Sequence, residues 1–488
     1  MLLNDMRQFF RTTACLCLST LLCVQPIAYA QQDLPDIGTT AAGTLTIAQE
    51  LEYGDAYMRI LRSSSPIISD PVMDEYITGL GHQLVANAND VKTPFHFHLI
   101  RDRSVNAFAF FGGYVVANTG LFLHANNESE LASVFAHEIS HITQRHLARH
   151  MEDQARRTPL TIAALVGSLL LAIASPEAGI AAVNATTAGS MQASINYTRS
   201  NEQEADRFGI ATLARAGFDP EGMPNFFGHL ADQYRYSSTP PPMLLSHPLP
   251  KSRLTEARDR AGRYPKVNPS VSLNFHLAQA RVIARYADID FSQSLSWFER
   301  RLKKATPMLK PTLEYGKALV YMDNGKLDQA ETILTRLLSN DPYNNFYLDA
   351  AADLYIHKKQ YDTALTLLQK GLERKPGNQV LTVNYANVLI EANRNKEAIN
   401  ILQRYTHANP DQTVGWSLLA DANGHLANEA EQLAAQAELF ALRANWNKAI
   451  SNYTRASQLA KLGSLEQARY DARIDQLRLE QQRFAALK

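Results

Sequence analysis

Two histidines four residues apart, His137 and His141, flank Glu138 in the stretch VFAHEISHITQRH (134–146). On a helix, positions i and i+4 project from one face, so both imidazoles can share one zinc ion while Glu138 reaches a water held there. Asn127 followed by Glu130 reads as a helix cap with an acidic first turn, which places the motif inside a helix. Catalytic zinc sites usually have three protein ligands, so a third is required. The extended metzincin pattern would put it six residues beyond His141, where Leu147 stands, and His146 misses by one place. A better candidate lies in RSNEQEADRFG (199–209), where Ser200 and Gln203 predict a capping box opening a second helix. There Glu202 and Asp206 share a face and Glu204 points away. Glu202 would ligate, and Asp206 would accept a hydrogen bond from the free ring nitrogen of a ligand histidine.

These residues need elements to hold them. Positive and negative side chains balance at 48 each among 488 residues, which gives no support for nucleic-acid binding or for general adhesion to acidic membranes. Arg7 and Arg11, an apolar run to Ile27 and the small residues at 28–30 read as a secretory signal cleaved after Ala30. Cys15, Cys17 and Cys23 all lie within it, so the mature chain would contain no cysteine, as suits an oxidising compartment. Residues 31–265 mix helix-like stretches with one strand region at 95–118, which would take in His96 and His98; His150 reads as exposed helix. The apolar segment 159–175 is short for a bilayer span and predicts a buried or interfacial helix, with membrane contact as the alternative.

Beyond a proline-bearing linker at 263–272, residues 266–488 read as alanine-rich amphipathic helices in a 34-residue repeat. Ala318, Ala352 and Ala386 keep that period, as do Ala330, Ala364 and Ala398, and Pro342, Pro376 and Pro410. This is the tetratricopeptide period, and such arrays stack into a solenoid with an extended binding face. Ala437 and Ala449 fall out of phase, which predicts an extra or irregular helix near 424–435. The expected fold is α+β, mainly helical, with a metallopeptidase domain followed by an all-α repeat solenoid.

HExxH followed by ExEAD resembles the gluzincin-type zinc peptidases that include the CAAX-prenyl protease and the heat-shock membrane protease HtpX. With a signal peptide and C-terminal repeats, the chain is similar to the periplasmic β-barrel assembly-enhancing proteases, a resemblance that extends to NAFAFFGG (106–113) and SHPLPKSR (246–253). The resemblance implies one zinc ion bound by His137, His141 and Glu202, with Glu138 catalytic. It implies misfolded or stalled outer-membrane proteins as substrates, chaperone-like behaviour, and docking of the β-barrel assembly machinery on the repeats. In that family the position of His247 can supply a fourth ligand. Held by a proline-stiffened loop, it would act as a self-inhibiting latch, with Arg253 supporting the loop or the reaction intermediate. The segment 106–118, beginning Asn106, Ala107 and Phe108, is a candidate edge strand for binding extended substrate, or its aromatics belong to the core. The competing function is a non-proteolytic repeat chaperone or adaptor with a structural or latched zinc site.

Overall fold

The computed structural model describes residues 45–157, 199–235, 241–267 and 270–486; the expected signal and the apolar segment 159–175 lie outside them. Among the described residues no helix is long and apolar enough to cross a membrane. Helix α1 (Ile47–Ser64) opens with a capping box between Thr46 and Gln49, and α2 (Pro71–Val85) is capped by Asp70, with proline at its first position.

Strands β1 (His96–Ile100), β2 (Ala107–Phe110) and β3 (Tyr114–Asn118) form a sheet of order β1-β3-β2. β1 runs parallel to β3, with His96 opposite Tyr114, and β2 runs antiparallel, with Ala107 opposite Ala117. The segment 106–118, a candidate edge strand with a break at Gly112–Gly113, is a hairpin about that break, and only its β2 half lies at the sheet edge. Gly112 and Gly113 turn the chain with φ of 76° and 83°, and a Cβ on Gly113 would stand 1.7 Å from the Pro94 carbonyl oxygen. Both faces of the sheet are covered. Phe108, Phe110, Tyr114 and Val116 pack with Tyr57, Met58 and Leu61 of α1, while Ala107, Ala109, Val115 and Ala117 join the main core. The aromatics of 106–118 are thus core residues.

Helix α3 (Gly120–His124) leads into α4 (Glu128–Thr143), capped by Asn127 as its sequence predicts and buried almost all round. Arg145, in the left-handed conformation with φ 51°, separates α4 from α5 (His146–Arg157). Glu50 and the Leu45 carbonyl hold that arginine, at 2.8 and 2.6 Å from its Nη2. Helix α6 (Arg199–Arg215) crosses α4 closely at Gly209, where a Cβ would lie 3.3 Å from the His137 backbone nitrogen and 2.9 Å from Met223 Cε. Ser200 is already inside α6, so it is not the cap its spacing predicts. Helices α7 (Gly222–Gln233), α8 (Pro242–Ser246) and α9 (Lys251–Ala261) complete this part.

Helices α10 (Leu273–Arg285) and α11 (Phe291–Leu302) both pack on α12 (Lys310–Asp323), which pairs with α13 (Leu327–Asn340), as α14 (Asn345–His357) pairs with α15 (Tyr361–Arg374). They continue as α16 (Gln379–Glu391) with α17 (Asn395–Ala408), α18 (Thr413–His425) with α19 (Glu429–Ala441), and α20 (Trp446–Leu459) with α21 (Leu465–Ala486). The repeat alanines 318, 352, 386, 330, 364 and 398 are wholly buried, which lets the paired helices approach closely. No irregular helix interrupts 424–435: α18 ends and α19 begins there in the phase of the preceding pairs.

The first of these helices, α10, shares its core with the preceding part of the chain. Phe275 stacks on Phe122 at 6.4 Å between ring centroids, and Gln279 donates to the carbonyls of Phe122 and Ala125. Arg281, buried, reaches Asp70 at 2.6 Å and Asp349 at 2.7 Å and so ties the cap of α2 to α14.

Candidate metal centre

Helix α4 presents His137, Glu138 and His141 inward, α6 presents Glu202 and Asp206, and the loop after α8 brings in His247; all six are at most 4% exposed. One ligand atom from each of His137, His141, Glu202 and His247 falls within 4.8 Å of the other three. The Nε2 atoms of His137 and His141 are 3.0 Å apart and turned toward the same place. Glu202 Oε1 stands 3.4 Å from His141 Nε2 and 3.0 Å from His247 Nδ1, and its Oε2 lies 3.5 Å from His137 Nε2. Sequence spacing selected three of these positions and the family resemblance the fourth, His247; the fold brings all four together.

The residues behind them are equally specific. His137 Nδ1 lies 2.9 Å from Asp206 Oδ1, a close charge contact whose angle falls short of a hydrogen bond in this arrangement. Arg253 Nε donates to Asp206 at 2.8 Å, and its Nη1 donates to Glu202 at 2.6 Å and to the Pro248 carbonyl at 2.9 Å. One guanidinium thus joins both α6 carboxylates to the loop that carries His247. Glu138 Oε1 is 3.6 Å from His247 Nε2 and has no hydrogen-bond partner among the described residues. Of the expected substrate residues, Ala107 and Phe108 lie in β2 and Asn106 immediately precedes it; Asn106 Oδ1 is also buried without a hydrogen-bond partner.

Burial works against every charge here, and the directions of the pKa shifts show which contacts overcome it. Burial pushes the Glu138 carboxyl up, aided by the charge of Glu202 and opposed by His247 and His137. Despite burial, Glu202 is held well below the carboxylate range by His247 and His137, and Asp206 is lowered by His137 and Arg253. His137 is raised to about 10: burial disfavours its charge, but its contacts with the carboxylates of Asp206 and Glu202 prevail. Burial and the charge of His137 push His141 well down, toward the neutral imidazole a metal requires.

A metal fits this donor set. Glu202 and Asp206 share one guanidinium, Glu138 adds a third carboxyl to the buried cluster, and a divalent cation would draw these donors together. Imidazole nitrogens with a carboxylate oxygen are the donor types that zinc takes in tetrahedral sites.

Sequence reasoning passed over two side chains. His146 is wholly buried, with Nδ1 2.9 Å from His141 Nδ1 and Nε2 3.0 Å from Glu204 Oε2. Glu204 does point away from the cluster's centre, but onto this histidine and Arg149. His96 and His98 lie in β1, as expected, whereas His150 is half-buried rather than exposed.

The pattern of peptidase family M48 matches residues 71–261, and tetratricopeptide-repeat patterns match 315–344 and 355–422. The β-barrel assembly-enhancing protease of Escherichia coli (strain K12) is 49% identical over 451 residues, 92% of this chain and 92% of its own. Its Yersinia pestis counterpart is 46% identical over 476 residues, 96% of this chain and 98% of its own. A Vibrio cholerae protein provisionally given the same name is 63% identical over 484 residues, 99% of this chain and all of its own.

Proposed function

Because the chain belongs to peptidase family M48, among the β-barrel assembly-enhancing proteases, it is a metalloprotease, and we propose that it cleaves with one zinc ion held by His137, His141 and Glu202. The convergence of these three donors beside Glu138, whose Oε1 makes no hydrogen bond among the described residues, carries this reading. The zinc, when bound, polarises a carbonyl and acidifies a water. Glu138 accepts the proton of the attacking water and returns it to the departing amine. Asp206 holds His137 by its free ring nitrogen, and Arg253 fixes Asp206 and Glu202 together. The edge of β2, unpaired among the described strands and carrying Asn106, Ala107 and Phe108, would receive extended substrate backbone by strand addition. His247 would be a fourth ligand in the resting state and would have to leave before substrate enters; Arg253, bonded to Pro248, holds its loop closed.

The names of the relatives point to the substrate class: unfolded or stalled outer-membrane β-barrel proteins, handled in the periplasm after removal of residues 1–30. In this reading residues 31–265 carry the chemistry, while residues 266–488 dock substrates and the assembly machinery and lend chaperone-like holding. Peripheral membrane contact through 159–175 is a secondary part of the proposal. The buried His247 beside Glu138 favours a second reading, a non-proteolytic adaptor with a latched zinc.

Degradation of an unfolded outer-membrane barrel protein by the zinc-loaded chain, beside a Glu138→Gln variant carrying the same zinc, separates the two. Cleavage by the parent chain and a loss of about 100- to 10,000-fold in the variant supports the protease. Holding of substrate by both without cleavage by either transfers the case to the adaptor.

A further inference from the structure

We propose that His146 and Glu204 are positioning residues that fix the tautomer and ring orientation of His141; this rests on the metal centre described under the proposed function. Two ring nitrogens 2.9 Å apart, His141 Nδ1 and His146 Nδ1, need one proton between them. If His141 offers Nε2 to a cation, its own proton sits on Nδ1 and is donated to His146. His146 then carries its proton on Nε2, which lies 3.0 Å from Glu204 Oε2, an acceptor. One sequence of tautomers satisfies every atom in the series. Glu204 is itself anchored by Arg149 at 2.8 Å.

The two α4 histidines are therefore held by different means. His137 meets the carboxylate of Asp206 directly, whereas His141 reaches Glu204 through an intervening imidazole. In one unbroken helix, residues five apart point about 140° away from each other, so His146 would face away from His141. The left-handed Arg145 breaks the helix, and its bonds to Glu50 and Leu45 hold the break, bringing His146 back over His141. Full burial of a histidine with both ring nitrogens engaged fits orientation of a ligand.

The test measures zinc affinity of the full-length mature chain by competition with a chromophoric chelator, together with the visible absorption of the cobalt-loaded chain. His146→Leu should weaken zinc binding about 10- to 100-fold and alter the cobalt bands. His146→Asn, which places an amide oxygen near the former Nδ1, should recover most of the affinity and the parent spectrum. Affinity and spectrum unchanged in His146→Leu would overturn the proposal, as would equal losses in the leucine and asparagine variants, since packing alone would then account for them. If His146→Leu does not fold, Glu204→Leu, at a side chain 23% exposed, takes its place: weakened zinc binding is expected, and unchanged binding overturns the proposal. A parent chain that takes up no zinc would overturn the metal reading itself and this inference with it; the variant outcomes bear on His146 and Glu204 alone.

Discussion

The cluster around Glu202 and the one around Arg281 are both buried networks of charge, but they are completed differently. At Arg281 the guanidinium lies between Asp70 and Asp349, while Tyr286 and Asn384 donate to those carboxylates and Tyr315 is also bonded to the arginine. Although burial works the other way, Arg281 is raised and Asp70 lowered by their mutual contacts. At Glu202 one guanidinium serves two carboxylates, a third carboxylate keeps an oxygen without a hydrogen bond, and imidazole nitrogens crowd toward one point. In the first network Asp349 Oδ2 also lacks a hydrogen bond among the described residues, but it lies 2.7 Å from the Arg281 guanidinium, and the network joins two parts of the chain. The second needs a cation to complete it, which is how buried charge serves chemistry rather than architecture.

The largest effect that would sharpen this contrast is on stability. Arg281→Met should cost about 3–5 kcal/mol, because Asp70 and Asp349 are left buried without their partner. The variant should melt earlier yet still bind zinc when folded; unchanged melting would mean that the junction is not held by this arginine. Acidification should separate the clusters by order of failure. Asp70 has a depressed folded pKa, so its contribution is present above the ordinary aspartate value of 3.8 and is lost as pH falls below it. Zinc should leave earlier, because protons compete with it for His137, whose pKa the neighbouring carboxylates raise to about 10. Metal content and circular dichroism followed together should show release before unfolding, and simultaneous loss would contradict the separation. A smaller change, Asp206→Asn, should lower zinc affinity about 10- to 100-fold in a chelator competition without unfolding the protein. Smallest of all, Glu397→Gln removes an exposed ion pair with Arg394 and should leave the thermal midpoint unmoved.

Much of the metal centre was legible because its geometry is local. The i, i+4 rule placed His137 with His141 and Glu202 with Asp206, while the family resemblance and a proline-stiffened loop marked His247. The alanine columns of the repeat were readable for the same reason, since each records one helix packing on the next. His146 was not legible: its approach to His141 depends on a left-handed arginine that no periodicity announces. The hairpin within 106–118 was hidden because both sheet faces are buried, which replaces the usual alternation with a continuous apolar run. Arg281 meets an aspartate 211 positions away, a pairing that spacing rules cannot reach.

The most direct test of the metal centre and its latch is zinc K-edge absorption of the parent chain and of His247→Ala, each loaded with one zinc, with cleavage of an unfolded barrel protein measured on the same samples. The account predicts three imidazoles around zinc in the parent, two in the variant, and faster cleavage by the variant. Two imidazoles in both, with equal cleavage, would contradict it.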